Sequence, residues 1–103
     1  MFVHIALFRW KDSAQPVEIE KAINAIRDLR KKVPGIIDIR CGLNTHKECK
    51  GLTHAVLVLA ATQQALDAYR RHPDHERAAS TIAGMEADGL GCDFEDCSDS
   101  EGA

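Results

Sequence analysis

Phe2 to Trp10 alternates two sets of side chains, Val3, Ile5 and Leu7 on one side and Phe2, His4, Ala6, Phe8 and Trp10 on the other. A period of two predicts a strand, and because both sets are mainly apolar this strand needs cover on both faces. Lys11 to Gln15 reads as a loop, and Pro16 suits a first helical turn. Ile19, Ala22, Ile23, Ile26, Leu29 and Val33 then recur at helical spacing, with Glu18, Glu20, Lys21, Asn24, Arg27 and Asp28 on the solvent side. Pro34-Gly35 stops this helix. Ile36 to Leu43 returns to period two and sets Ile37, Ile39 and Cys41 against Ile36, Asp38 and Arg40. After a polar loop over Asn44 to Leu52, a third strand over Thr53 to Leu59 sets His54, Val56 and Val58 against Ala55, Leu57 and Leu59.

A second helical pattern starts at Thr62, a residue type that caps helices, and runs to Arg71 with Ala65, Leu66 and Tyr69 inward. Pro73 interrupts it, because proline lacks the N–H a helix interior needs and disfavours helical geometry in the residue before it. The pattern restarts with Ala78, Ala79, Ile82 and Met85 inward. Gly89 and Gly91 break it, and Cys92 to Glu95 is expected as a short last strand. The order β-α-β-β-α-β predicts an α+β, ferredoxin-like protomer with its helices on one sheet face. The apolar second face of the first and third strands is most simply covered by a second copy, so a homodimer is expected, with an isologous contact.

At 103 residues the chain suits one domain, placed at residues 1–97, with a disordered tail expected over 98–103. The formal net charge of −3, with both signs interspersed, argues against nucleic acid as a partner. No segment is long and apolar enough to span a bilayer, and the start lacks the basic region of a secretory signal, so the cytoplasm is the expected location. Cys41, Cys49, Cys92 and Cys97 lack the two-residue gaps of zinc or redox motifs, and reduced thiols are expected. No metal and no cofactor is expected; a zinc site from His4, His54 and His75 would have no spacing signature.

The densest chemistry is Tyr69-Arg70-Arg71-His72-Pro73-Asp74-His75. His75 lies three and four residues before Ala78 and Ala79 and so falls on the apolar stripe. A ring there is either a satisfied core histidine or a site group. As a site group it offers a base that titrates near neutrality, fit to remove a proton alpha to a carbonyl. Tyr69 can polarise a carbonyl oxygen through its hydroxyl, or simply pack its ring. His4 and His54 each open the inward set of a strand, and those strands are neighbours in this fold, which is expected to bring the two rings close. His72 is expected as a turn or cap residue and His46 as a solvated loop residue.

The combination of His4-Ile-Ala-Leu-Phe, Val33-Pro34-Gly35-Ile36, Gly51-Leu-Thr-His54-Ala-Val and Tyr69-x-x-His72-Pro73-x-His75 resembles the stress-responsive A/B-barrel (Dabb) family, over roughly Met1 to Phe94. The resemblance implies a dimeric α/β barrel with a cavity between the helices and the sheet of each subunit. Inward positions then place His4, His54, Ala6, Phe8, Val56, Ala22, Ile23, Ile26 and Ala79 around that cavity. The chain is also distantly similar to a plant polyketide cyclase of the family that works by aldol condensation. Its tyrosine and histidine match Tyr69 and His75, and further strand histidines match His4 and His54. That enzyme has bulky aromatics where this chain has Ala22, Ile23 and Ile26, so the same substrate is not expected. Some relatives hold a hard cation on main-chain carbonyls near Val33 to Ile36, about which side-chain identity is silent. The expected function is binding of a small hydrophobic carbonyl-bearing molecule, with histidine-dependent acid–base chemistry of the cyclase or lyase kind. The alternatives are a non-catalytic dimeric interaction protein and a cofactor-free monooxygenase-like enzyme.

Overall fold

The computed structural model describes residues 1–97, so the expected tail lies outside the described residues. The chain runs β1 (Phe2–Trp10), α1 (Pro16–Asp28), a single 3-10 turn (Leu29–Lys31), β2 (Ile36–Leu43), β3 (His54–Ala60), α2 (Gln63–Arg71), α3 (Pro73–Met85) and β4 (Glu86–Glu95). All strand pairs are antiparallel, in the order β2-β3-β1-β4. This is the ferredoxin-like arrangement, with the second helical segment split in two by Pro73. No helix is long and apolar enough to cross a membrane.

The helices start where their sequences say they should. Pro16 occupies the first turn of α1, Thr62 caps α2 by accepting a hydrogen bond from the Ala65 N–H, and Pro73 opens α3. His72 ends α2 and caps α3, its Nδ1 accepting from the Asp74 N–H at 3.0 Å. The apolar stripes meet between helices and sheet. Ile19, Ala22, Ile23 and Ile26 of α1, Leu66 and Tyr69 of α2, and Ala78 and Ile82 of α3 are buried in one core with Ile39, Val56, Val58 and Ala60 of the sheet.

Three expectations are corrected. The last strand begins at Glu86, not Cys92, and Gly89 and Gly91 lie inside it, paired with Phe8 and Ala6 of β1. Those glycines end a helical pattern in the sequence, but here the backbone has already turned extended at Glu86. In β2 the register shifts between Ile36 and Asp38, so Ile36 and Ile39 are both buried while Ile37 is 53% exposed. A bulge of this kind breaks strict alternation, which is why period two misassigned Ile36 and Ile37. α1 also ends at Asp28, with Leu29 buried in the 3-10 turn that follows.

The sheet face turned away from the helices carries Ile5 and Leu7 of β1, Ala55, Leu57 and Leu59 of β3, and Leu90, Cys92 and Phe94 of β4, in cross-strand rows set by the register. Leu90 and Phe94 are 57% and 47% exposed in the single chain. This is the apolar second face that the alternation of β1 and β3 anticipated, extended by β4.

Candidate functional site

The site is built by β1 and the two halves of the broken helix. β1 points His4, Ala6 and Phe8 toward the helices, and α2 brings Tyr69 down onto them. The helix break at His72 then swings His75 back beside Tyr69: the two rings meet edge to face with centroids 4.6 Å apart. His4 lies 6.4 Å from Tyr69 between ring centroids. These three rings border a cavity of about 230 Å³, whose remaining lining is Ala6, Phe8, Ile26, Val56, Ala79, Ile82, Ala83 and Glu86. A larger groove of about 430 Å³ between α1 and α3 is lined mostly by charged and small residues, and it contains no histidine or tyrosine. The smaller cavity is therefore the one where chemistry is concentrated.

Burial shifts His75 and Tyr69 in opposite directions. Burial, with the nearby His4 and Arg70, holds the His75 imidazole below its ordinary pKa, while a hydrogen bond to the Arg70 main chain works in the opposite direction. His75 is thus a neutral ring with a lone pair at neutral pH. Burial pushes the Tyr69 phenol well above its ordinary value, the Cys41 thiol adding to this and Arg70 opposing it. Tyr69 is therefore a hydrogen-bond donor across the physiological range. Its ring is 2% exposed, yet its hydroxyl is not among buried polar atoms lacking a partner.

His4 is fixed by charge from outside the cavity. Its Nδ1 lies 2.5 Å from Asp93 Oδ1, and Arg70 Nη2 lies 2.5 Å from the other carboxylate oxygen and 3.1 Å from the same Nδ1. One ring nitrogen cannot both donate to Asp93 and accept from Arg70. The short carboxylate contact assigns Nδ1 as the donor. Burial acts to raise the Asp93 pKa, but its hydrogen bonds to His4 and Arg70 outweigh this and hold it below the usual carboxylate range. Asp93 and Arg70 were not singled out in the sequence. Asp93 falls within the expected last strand, but which residue of β1 it faces is set by the register, and that register places it opposite His4.

Of the residues assigned to the cavity, His4, Ala6, Phe8, Val56, Ile26, Tyr69, His75 and Ala79 come together around it. His54 does not. β1 and β3 are neighbours, but His4 pairs with Val58 and His54 with Phe8, which puts four residues of strand between the two histidines. His54 Nδ1 instead accepts from the Trp10 indole N–H at 2.9 Å and contacts Thr53 Oγ1 at 3.0 Å. Ala22 faces the groove between α1 and α3, and Ile23 is buried in the core. Ile82, Ala83 and Glu86 line the cavity in addition. His46 is exposed and accepts the Glu48 N–H. Among the described residues no cluster of histidine, cysteine and carboxylate side chains is arranged to hold a metal ion.

No curated protein matches the chain. Solved structures do. A dimeric ferredoxin-like protein of unknown function from Thermobifida fusca YX is 32% identical, with 90% of this chain and 88% of that one covered and a TM-score of 0.78. A second dimeric ferredoxin-like protein of unknown function, from Jannaschia sp. CCS1, is 23% identical over 92% of this chain and 98% of its own, with a TM-score of 0.84. A hydroxynitrile lyase from Passiflora edulis superposes with a TM-score of 0.80 at 15% identity, over 90% of each chain, a likeness of fold alone. The stress responsive A/B barrel domain model matches residues 2–96, and on that match the chain belongs to this family.

Proposed function

We propose that this chain is a cytoplasmic homodimer that binds a small hydrophobic carbonyl-bearing molecule in the cavity of each subunit and acts on it by histidine-dependent acid–base chemistry. The observation that carries the reading is the convergence of Tyr69, His75 and His4 on one otherwise mainly apolar cavity. An apolar pocket with a few convergent polar groups, one with a shifted pKa, is the general form of a small-molecule site.

The division of labour follows from which ring donates a proton and which accepts one. Tyr69 donates a hydrogen bond to the carbonyl oxygen, stabilising negative charge as it develops there. His75, neutral and half-buried, removes a proton alpha to that carbonyl. His4, oriented by Asp93, adds a third polar ring to the cavity wall near Tyr69. The dimer rests on the half-buried apolar rows of β1 and β3, on the exposed Leu90 and Phe94 of β4, and on the dimeric state of the solved relatives.

The test is binding of 4-phenylbutan-2-one, a compact apolar methyl ketone, to the wild type, Tyr69→Phe and His75→Ala, followed by exchange of its alpha protons in D2O. Loss of one hydrogen bond is worth roughly 0.5–1.5 kcal/mol, so Tyr69→Phe is expected to weaken binding by about two- to tenfold. His75→Ala is expected to abolish enzyme-dependent exchange. Unchanged affinity and exchange in both variants would sink the proposal.

A further inference from the structure

The cavity has a second polar end that this chemistry does not use. On β4 the positions facing the helices are Asp93, Gly91 and Gly89, opposite His4, Ala6 and Phe8 of β1. A side chain at Gly91 would meet nothing nearer than the Ile5 carbonyl at 4.0 Å, so that position is open. At Gly89 a Cβ would overlap the Glu86 carboxylate and lie 3.2 Å from the Leu7 carbonyl. Neither glycine has a positive φ. What these positions contribute is therefore the absence of a side chain, not an unusual backbone.

Glu86 uses that space. It pairs with Trp10 across the strand, lays its carboxylate over Gly89 and lines the cavity beside Phe8. Among the described residues no side-chain donor holds this carboxylate. Lys11, next to Trp10, directs its ammonium to the Gly84 carbonyl at 3.2 Å. Four residues of extended chain separate Gly89 from Asp93, so the histidine end and the Glu86 end stand about 13 Å apart.

We infer that Glu86, given room by Gly89, selects ligands whose end remote from the carbonyl carries a hydrogen-bond-donating group, a hydroxyl or an ammonium. A carboxylate at an apolar wall accepts a charge-assisted hydrogen bond from such a group. An apolar tail would instead cover the carboxylate and leave it without a partner, at the cost of its lost hydration. The inference rests on the cavity's being the ligand site proposed above.

Trp10 is the only tryptophan and stacks on Phe8 at 5.3 Å, so its fluorescence reports occupancy at the Glu86 end. The experiment titrates wild type, Glu86→Leu, Glu86→Gln and Gly89→Ala with 4-phenylbutan-2-one and with its para-hydroxy and para-aminomethyl derivatives. In the wild type, at least one donor-bearing ketone is expected to bind ten times more tightly than the parent. Which of the two does so identifies the preferred group. Glu86→Leu is expected to erase the preference, and Glu86→Gln to keep it only for the hydroxyl. Gly89→Ala, which crowds the carboxylate out of its place, is expected to erase it without altering residue 86. Equal wild-type affinities for all three ketones, or a preference that survives in Glu86→Leu, would overturn the inference and leave the proposed function standing. Binding of none of the three would overturn both.

Discussion

Gly35 is the residue on which the placement of Tyr69 depends most indirectly, and its replacement by alanine has a calculable effect. Gly35 has φ +85° in the turn that leads into β2, and its carbonyl accepts the Ala61 N–H at 2.8 Å. A Cβ there would come 2.7 Å from the Ala65 Cβ on α2. The left-handed backbone costs an alanine roughly 1–2 kcal/mol. Overpacking against a helix in a close-packed core adds about 1–3 kcal/mol. The sum, about 2–5 kcal/mol, is a large part of the roughly 5–15 kcal/mol that holds a domain of this size folded. Even its lower end lowers Tm by roughly 8–16 °C. Urea denaturation at 25 °C measures the loss directly, as a lower midpoint at constant m. The steric share is isolated by a cycle with Ala65→Gly, which removes the partner and itself costs about 1 kcal/mol through helix propensity. The two substitutions are expected to couple by about 1–3 kcal/mol, the double variant being more stable than additivity allows. Additive effects would refute the contact as the cause. Because Ala65 and Tyr69 are four apart on the same face of α2, Gly35→Ala is also expected to weaken ketone binding.

Protonation of His75 sets a second expectation. Its folded-state pKa lies below the ordinary 6.5, so the unfolded chain takes up the proton first. Stability is therefore full above about pH 6.5 and declines as pH falls through the lowered value. His75→Phe is expected to flatten that decline in urea midpoints taken across pH, whereas an unchanged slope would contradict the assignment. Asp93→Asn removes the carboxylate from His4 and is expected to change the ring 15N shifts of His4. Since the pair is half exposed, the stability loss should not exceed about 1 kcal/mol. Ring shifts identical to those of the wild type would remove Asp93 as the orienting group. Phe94→Asp, on the exposed apolar sheet face, is expected to give a folded monomer in sedimentation velocity where the wild type is a dimer. A monomeric wild type would remove the reason for that face.

Much of this architecture is legible in the chain because its local signals agree. Thr62, Pro16 and Pro73 mark helix starts by backbone chemistry that needs no tertiary context. The alternation of β1 and β3 also reports the inner and outer sheet faces correctly. What local pattern could not show is register. The bulge at Ile36 to Asp38 reverses which isoleucine is buried. The extension of β4 back to Glu86 contradicts the poor strand propensity of Glu86-Ala87-Asp88-Gly89, and pairing with β1 overrides it. Glu86 enters the cavity argument only through that extension, and Asp93 through the register that sets it opposite His4. His54 is the converse case: its face was right, but antiparallel register carried it to the far end of β1 from His4, where Trp10 holds it.

The same distinction explains why the proline break matters to the chemistry. On an uninterrupted helix Tyr69 and His75, six residues apart, would point about 120° apart and fall on different faces. His72 adopts an extended backbone, with φ −63° and ψ 135°, which ends one helix and caps the next. The phase is thereby reset, and α3 returns His75 to within 4.6 Å of the Tyr69 ring. The break also sets Arg70 in the last turn of α2, where its guanidinium reaches Asp93 and its main chain engages His75. One interruption thus couples the outer ion pair, the strand histidine and the helix histidine through a single turn. A continuous helix, made by replacing His72-Pro73 with Ala-Ala, would put Tyr69 and His75 on different faces, so the apolar stripe of α3, which carries His75, would stay inward only by turning Tyr69 away. The proposed pairing of base and hydrogen-bond donor would then be lost even if the core survived.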